Sequence, residues 1–259
     1  MNVSIVFTFT FTTHLWLTPF TRLSIYMTMR TSQRPTADLP ELSPGITLVD
    51  VDDDLGVTPV QALLLDHVLG GDGPAFWVDG ANRANTTRLR ELAPDDRVLD
   101  RVEVARGFTA HQHTSLLDRL AGRLDARESP SVVVATGLDG MYRAADVDDE
   151  LAEQLFIRAI ASLARVARVH DVPVIATRCR EDNFSRPLRR AAGTHLQCRA
   201  TPFGPRFEDA AGDMETLVYH TDDGWMQTTL AYWQEVLEHR ARMHEASTLE
   251  RAAGPIGVQ

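Results

Sequence analysis

Between Ile46 and Thr177 short apolar runs alternate with longer amphipathic stretches, and that alternation leaves few folds open to the chain. Residues 46–51, 75–79, 102–106, 131–136 and 172–177 have the length of strands. The run 131–136 is continuously apolar, as a strand buried on both faces must be. Helical patterns fill the intervals. A helix is predicted from Thr58-Pro-Val-Gln61, with Thr58 as N-cap, Pro59 at N1 and Gln61 at N3, ended by Gly70-Gly71. A short helix follows at 87–93, then one carrying Leu116, Leu117, Leu120 and Leu124, then a long one with Leu151, Leu155, Ile160, Leu163 and Ala167 on one face. Strands joined by helices form a mainly parallel sheet covered on both faces, so the predicted class is α/β. After the fifth run the pattern changes. Runs at 194–203, 215–220 and 225–229, the last two meeting at Asp222-Asp223-Gly224, predict a C-terminal antiparallel hairpin extension. Residues 230–251 predict a closing helix with Leu230, Trp233, Val236 and Leu237 inward.

The first 37 residues are a different material, with no Asp or Glu, whereas the whole chain has 36 acidic residues. His14, Pro19 and Arg22 interrupt their apolar content, which argues against a membrane helix of roughly 20 uninterrupted residues and leaves a membrane tether as the less favoured reading. The early positive charge of a signal peptide is also missing. The expected organisation is a leader and linker at 1–45, with the natural start at Met27 or Met29, a core at 46–252 and a tail at 253–259. No integral membrane association is expected. All 26 basic residues are arginine, and the formal charge is −10. That pairing resembles the cytoplasmic proteins of salt-loving archaea, and a cytoplasmic location is expected. Cys179 and Cys198 lack metal-ligand spacing and are expected as reduced thiols. Neither the Asp50, Asp52, Asp53, Asp54 cluster nor His111, His113, His239 and His244 has the spacing of a metal site, so no metal and no cofactor are expected.

Four phrases carry a family resemblance: Trp77-Val-Asp-Gly-Ala-Asn-Arg83, Ala105-Arg-Gly-Phe-Thr-Ala-His-Gln112, Val132-Val-Val-Ala-Thr-Gly-Leu-Asp-Gly-Met-Tyr-Arg143 and Val172-Pro-Val-Ile-Ala-Thr177. Together with the element order they resemble the RecA/RadA recombinase core over roughly residues 46–230, without the helical DNA-binding domain that precedes it in archaeal recombinases. The resemblance implies a RecA-like fold of the P-loop type.

It also implies a lost activity. A P-loop wraps phosphates in backbone N–H groups of small glycines and reaches them with a Lys. Here Val57 stands at the Lys position, and Asp52, Asp53 and Asp54 fill the loop. Thr58 matches the Mg²⁺-coordinating Thr, although an N-cap role accounts for it equally. Ala81 replaces the Glu that activates the attacking water, Thr136 the metal-linked Asp, and Arg178 the glutamine that senses the terminal phosphate. Phosphoryl transfer depends almost wholly on such groups, so the chain is expected to be a pseudo-ATPase.

The expected function is a catalytically inactive binding module, accessory to DNA recombination or repair, with a recombinase or other repair protein as partner. Phe207-Glu-Asp-Ala210 has the Phe-x-x-Ala form by which recombinase subunits and their mediators dock, which makes Phe207 and Ala210 docking candidates. Two alternatives stay open. Arg178, Arg180, Phe184, Arg186, Arg189 and Arg190 stand at the second DNA-binding loop of the recombinases and suit single-stranded DNA. Against that, the equivalent of the first loop, residues 144–150, is acidic, and carboxylates such as Glu181 and Asp182 can pair with the arginines. The other alternative is residual nucleotide binding.

Overall fold

The computed structural model describes residues 39–80, 82–124, 130–143, 147–201, 204–209 and 229–253. The expected leader up to residue 38, the tail beyond 253, the strand at 215–220, most of that at 225–229, and the candidates Ala81 and Ala210 lie outside them.

Among the described residues seven strands form one sheet. In chain order the elements are β1 (Gly45–Val51), α1 (Thr58–Gly70), β2 (Ala75–Asp79), α2 (Thr86–Leu92), α3 (Asp96–Leu99), β3 (Val102–Arg106) and α4 (Ala110–Leu124). Then come β4 (Val132–Thr136), α5 (Asp149–His170), β5 (Pro173–Ala176), α6 (Arg186–Ala191), β6 (Thr194–Thr201), β7 (Gly204–Asp209) and α7 (Thr229–Ala253). The order across the sheet is β3-β2-β4-β5-β1-β6-β7, and every pairing is parallel except β6 with β7.

The period-2 pleat divides the apolar side chains between two cores. Phe76, Val133 and Val174 pack with Leu117 and Leu120 of α4 and Phe156 and Leu163 of α5. Trp77, Val134 and Ile175 face the other way, onto Leu63, Leu64 and Leu65 of α1 and Trp233 and Leu237 of α7. The central strands β2, β4 and β5 are therefore buried throughout.

Connections from β1 to β2 and β2 to β3 run toward one edge of the sheet, and later ones run back. Right-handed crossovers put the two sets of helices on opposite faces, and the two cores divide that way. Neighbouring strands β1 and β5 thus send the chain to opposite faces. A crevice opens at their carboxyl ends, the place where such sheets take ligands.

The structure differs from the sequence expectation in three ways. Val57, not Thr58, occupies the N-cap position of α1, and no side chain caps the helix. The Gln61 amide instead donates to the Asn85 carbonyl at 2.8 Å, tying α1 to α2. Second, β6 does not begin a purely antiparallel region, because the short helix α6 returns the chain parallel to β1 and only β7 runs antiparallel. Third, the expected linker is partly packed, with Leu39 buried and Leu42 against the α1 and α7 core.

Candidate functional site

Asp50, near the end of β1, anchors the crevice. Arg178, just after β5, reaches it with both Nε and Nη2, at 2.8 and 2.5 Å. His195 of β6 places Nε2 at 2.6 Å from the same carboxylate. Arg178 also pairs with Glu181 at 3.0 Å, and only 3% of its side chain is exposed. Burial alone would push the Asp50 carboxyl up, but the hydrogen bonds and charges of Arg178 and His195 outweigh it and hold it below the usual carboxylate range. Burial works against the Arg178 charge too, and Asp50 and Glu181 more than restore it, leaving its pKa raised. The cluster thus bridges β1, β5 and β6 across a crevice of ≈320 Å³ that Asp53, Val57 and Arg180 also line.

The loop between β1 and α1 is folded on itself. Asp53–Leu55 forms a single 3₁₀ turn. The Leu55 N–H donates to the Asp52 carbonyl at 2.9 Å, the Gly56 N–H to that of Asp53, and the Asp52 N–H to Cys198 of β6 at 3.0 Å. The Asp52 carboxylate accepts from the Ala200 N–H at 3.0 Å. These N–H groups are consumed by the protein's own oxygens and are not available to cradle an anion. Val57 adds an apolar, partly buried side chain packed on the α1 core.

At the ends of β2 and β4, Thr136 is buried and its hydroxyl is used twice. It accepts from Trp77 Nε1 at 2.9 Å and donates to Asp79 at 3.3 Å. Asp79, fully buried, also accepts from the backbone of Arg83 and Ala84 and from Arg106 Nε at 3.0 Å. Nearby, His113 of α4 is fully buried, with Nδ1 2.8 Å from the Tyr142 hydroxyl and Nε2 without a partner. Burial pushes its pKa down to about 4, against the pull of Asp79. These polar groups make a closed scaffold, and among the described residues no group of three or more His, Cys, Asp or Glu could hold a metal ion.

The arginine-rich stretch 178–190 divides in two. Arg178 is bound within the crevice, as above. Phe184 stacks on Phe156 with ring centroids 5.1 Å apart, and the Arg143 guanidinium covers it at 4.7 Å. Arg143 binds both oxygens of Asp182 at 2.8 Å and Asp139 at 2.7 Å. Asp139 in turn accepts from the Cys179 N–H. The loop is therefore strapped down at both ends. Arg180, Arg186, Arg189 and Arg190 remain exposed.

Phe207 is not on the surface. It is 1% exposed, paired with Cys198 across β6, with its ring 5.8 Å from Trp233. A ring held in the core has no face left for a partner, so the docking candidate is an internal packing residue. The two cysteines form no disulfide.

Sequence reasoning missed Asp50 as the partner of both Arg178 and His195, and Arg143 as the strap. The pairs are 128 and 145 residues apart, so only the strand order brings them together. One signal was legible: a charged residue at the end of a buried parallel strand needs a counter-charge from a neighbouring strand end. Neither a scan against protein-family models nor a search of curated proteins returns a match for this chain.

Proposed function

We propose that the chain is a catalytically inactive RecA/RadA-like binding module that assists DNA recombination or repair through contact with a recombinase or another repair protein. One observation supports this most strongly. The crevice at the switch point, where a nucleotide would be held, is lined by the protein's own Asp50–Arg178–His195 cluster, whose charges are spent on one another. Beside it, the loop that should wrap phosphates spends the N–H groups of Asp52, Leu55 and Gly56 internally and offers carboxylates. Each carboxylate about 4 Å from a phosphate costs ~4 kcal/mol near a protein surface. The lost lysine, glutamate and aspartate of the resemblance fit the same reading, with Val57, Ala81 and Thr136 in their places. Binding without turnover leaves a macromolecular partner as the role.

The test is titration calorimetry against the purified recombinase from the same organism, without added nucleotide and again with an ATP analogue bound to the recombinase. Saturable binding supports the accessory role. Absence of binding in both conditions overturns it.

A further inference from the structure

Arg180, Arg186, Arg189 and Arg190 are all exposed in a chain of net charge −10, and none forms an ion pair with a described carboxylate. Arg186 meets only the Asn183 side chain. Several other surface arginines are paired, as Arg88 is with Glu91, Arg123 with Glu103 and Arg158 with Asp118, whereas these four lie close together in sequence with their charges open. Arg186, Arg189 and Arg190 stand at i, i+3 and i+4 of α6 and so share one face.

The helix beneath them is fixed. Leu188 is fully buried, Ser185 is buried and bonded to Asp182, and Phe184 is clamped between Phe156 and Arg143. The guanidinium groups therefore project from a rigid base, which lowers the ordering cost of a contact.

We propose that this arginine face docks an acidic segment of the partner protein. The proposal rests on the protein-contact reading above and names the surface that makes the contact. A guanidinium fork matches a carboxylate with two parallel hydrogen bonds, and pairs enclosed in a contact are screened far less than exposed ones. Single-stranded nucleic acid fits less well. Its non-specific binders combine cations with aromatic platforms for the bases. Phe184 is the one aromatic residue of the stretch 178–190, and its ring is already engaged by Phe156 and Arg143.

The experiment uses the full chain, with a fluorescent Asp/Glu-rich peptide, its Asn/Gln counterpart and an oligothymidine of matched charge as probes. The comparison is with the triple variant Arg186→Gln, Arg189→Gln, Arg190→Gln, whose substitutions are all on the surface. The acidic peptide should bind and lose about tenfold or more in the triple variant, with the neutral peptide unbound throughout. Recombinase affinity should fall in parallel. A change below about twofold in acidic-peptide affinity overturns the proposal. So does an oligothymidine that binds more tightly than the peptide and is lost with the arginines, which would assign the face to nucleic acid. Recombinase binding that survives the triple substitution overturns the docking surface and leaves the accessory role standing. Failure of the unaltered chain to bind recombinase overturns the accessory role itself.

Discussion

At the scale of single residues, the crevice is governed by a charge that cannot be left alone. Arg178 is nearly inaccessible, so removing Asp50 strands a buried guanidinium with only the exposed Glu181 for company. Asp50→Ala is predicted to cost about 3 kcal/mol in urea unfolding, and adding Arg178→Met should restore most of it, as apolar replacement of buried pairs does. Equal losses in the single and double variants would mean that the pair is not a unit. Because the Asp50 pKa is lower folded than unfolded, its stabilisation is complete above the ordinary carboxylate pKa and fades as pH falls through the depressed one. His113 acts in a higher window. Its folded pKa of about 4 lies below the unfolded value of 6.5, so the unfolded chain binds the extra proton first as pH drops. Stability should therefore decline between about pH 6.5 and 4 by about 3 kcal/mol. His113→Gln should flatten urea midpoints over that window, and an unchanged slope would remove His113 as the cause. Gly107 is a steric counterpart, since a Cβ there would lie 2.8 Å from the His113 Cα and 2.9 Å from its N. Gly107→Ala must displace backbone and should cost about 1–3 kcal/mol.

At the scale of elements, legibility in the sequence followed the locality of the signal. The strands β2 and β3 appear at the boundaries their apolar runs imply, and α5 and α7 follow their apolar stripes. The helix α6 did not show, because six residues with three arginines and a proline carry no periodicity. Missing it turned a parallel return into an expected hairpin. The edge strand β7 was hidden by Pro205, Arg206, Glu208 and Asp209, which suit a strand with one open edge. The candidate site was legible as a set of positions, Val57, Thr136 and Arg178, that the resemblance singled out, but the partners they meet in the fold were not. The strap on the 178–185 loop belongs to this scale as well. Arg143→Ala should release Asp182 and uncover Phe184 together. Amide hydrogen exchange should then rise in residues 178–192 while β4 and β5 stay protected. Uniform protection across the loop would show that Arg143 does not hold it.

At the scale of the whole molecule, the sheet has the ligand-binding position of an open α/β fold, and the proposed function is that no nucleotide uses it. The switch point between β1 and β5 survives as geometry. Around it lie an internal salt-bridge cluster, a folded acidic turn and a buried polar scaffold under β2 and β4. Among the described residues no helix is long and apolar enough to cross a membrane. The exposed charge lies instead on α6, on the opposite face from α1 and α7. On the reading proposed above, such a molecule holds its shape without a nucleotide and works through its surface. Equilibrium binding of a fluorescent ATP analogue with Mg²⁺ tests that claim most directly. No saturable binding is expected up to about millimolar ligand, where even a weak site worth about −4 kcal/mol would register. Saturation in the micromolar range would contradict it, because the Asp50–Arg178–His195 cluster would then have to open and another group do the work of the missing lysine.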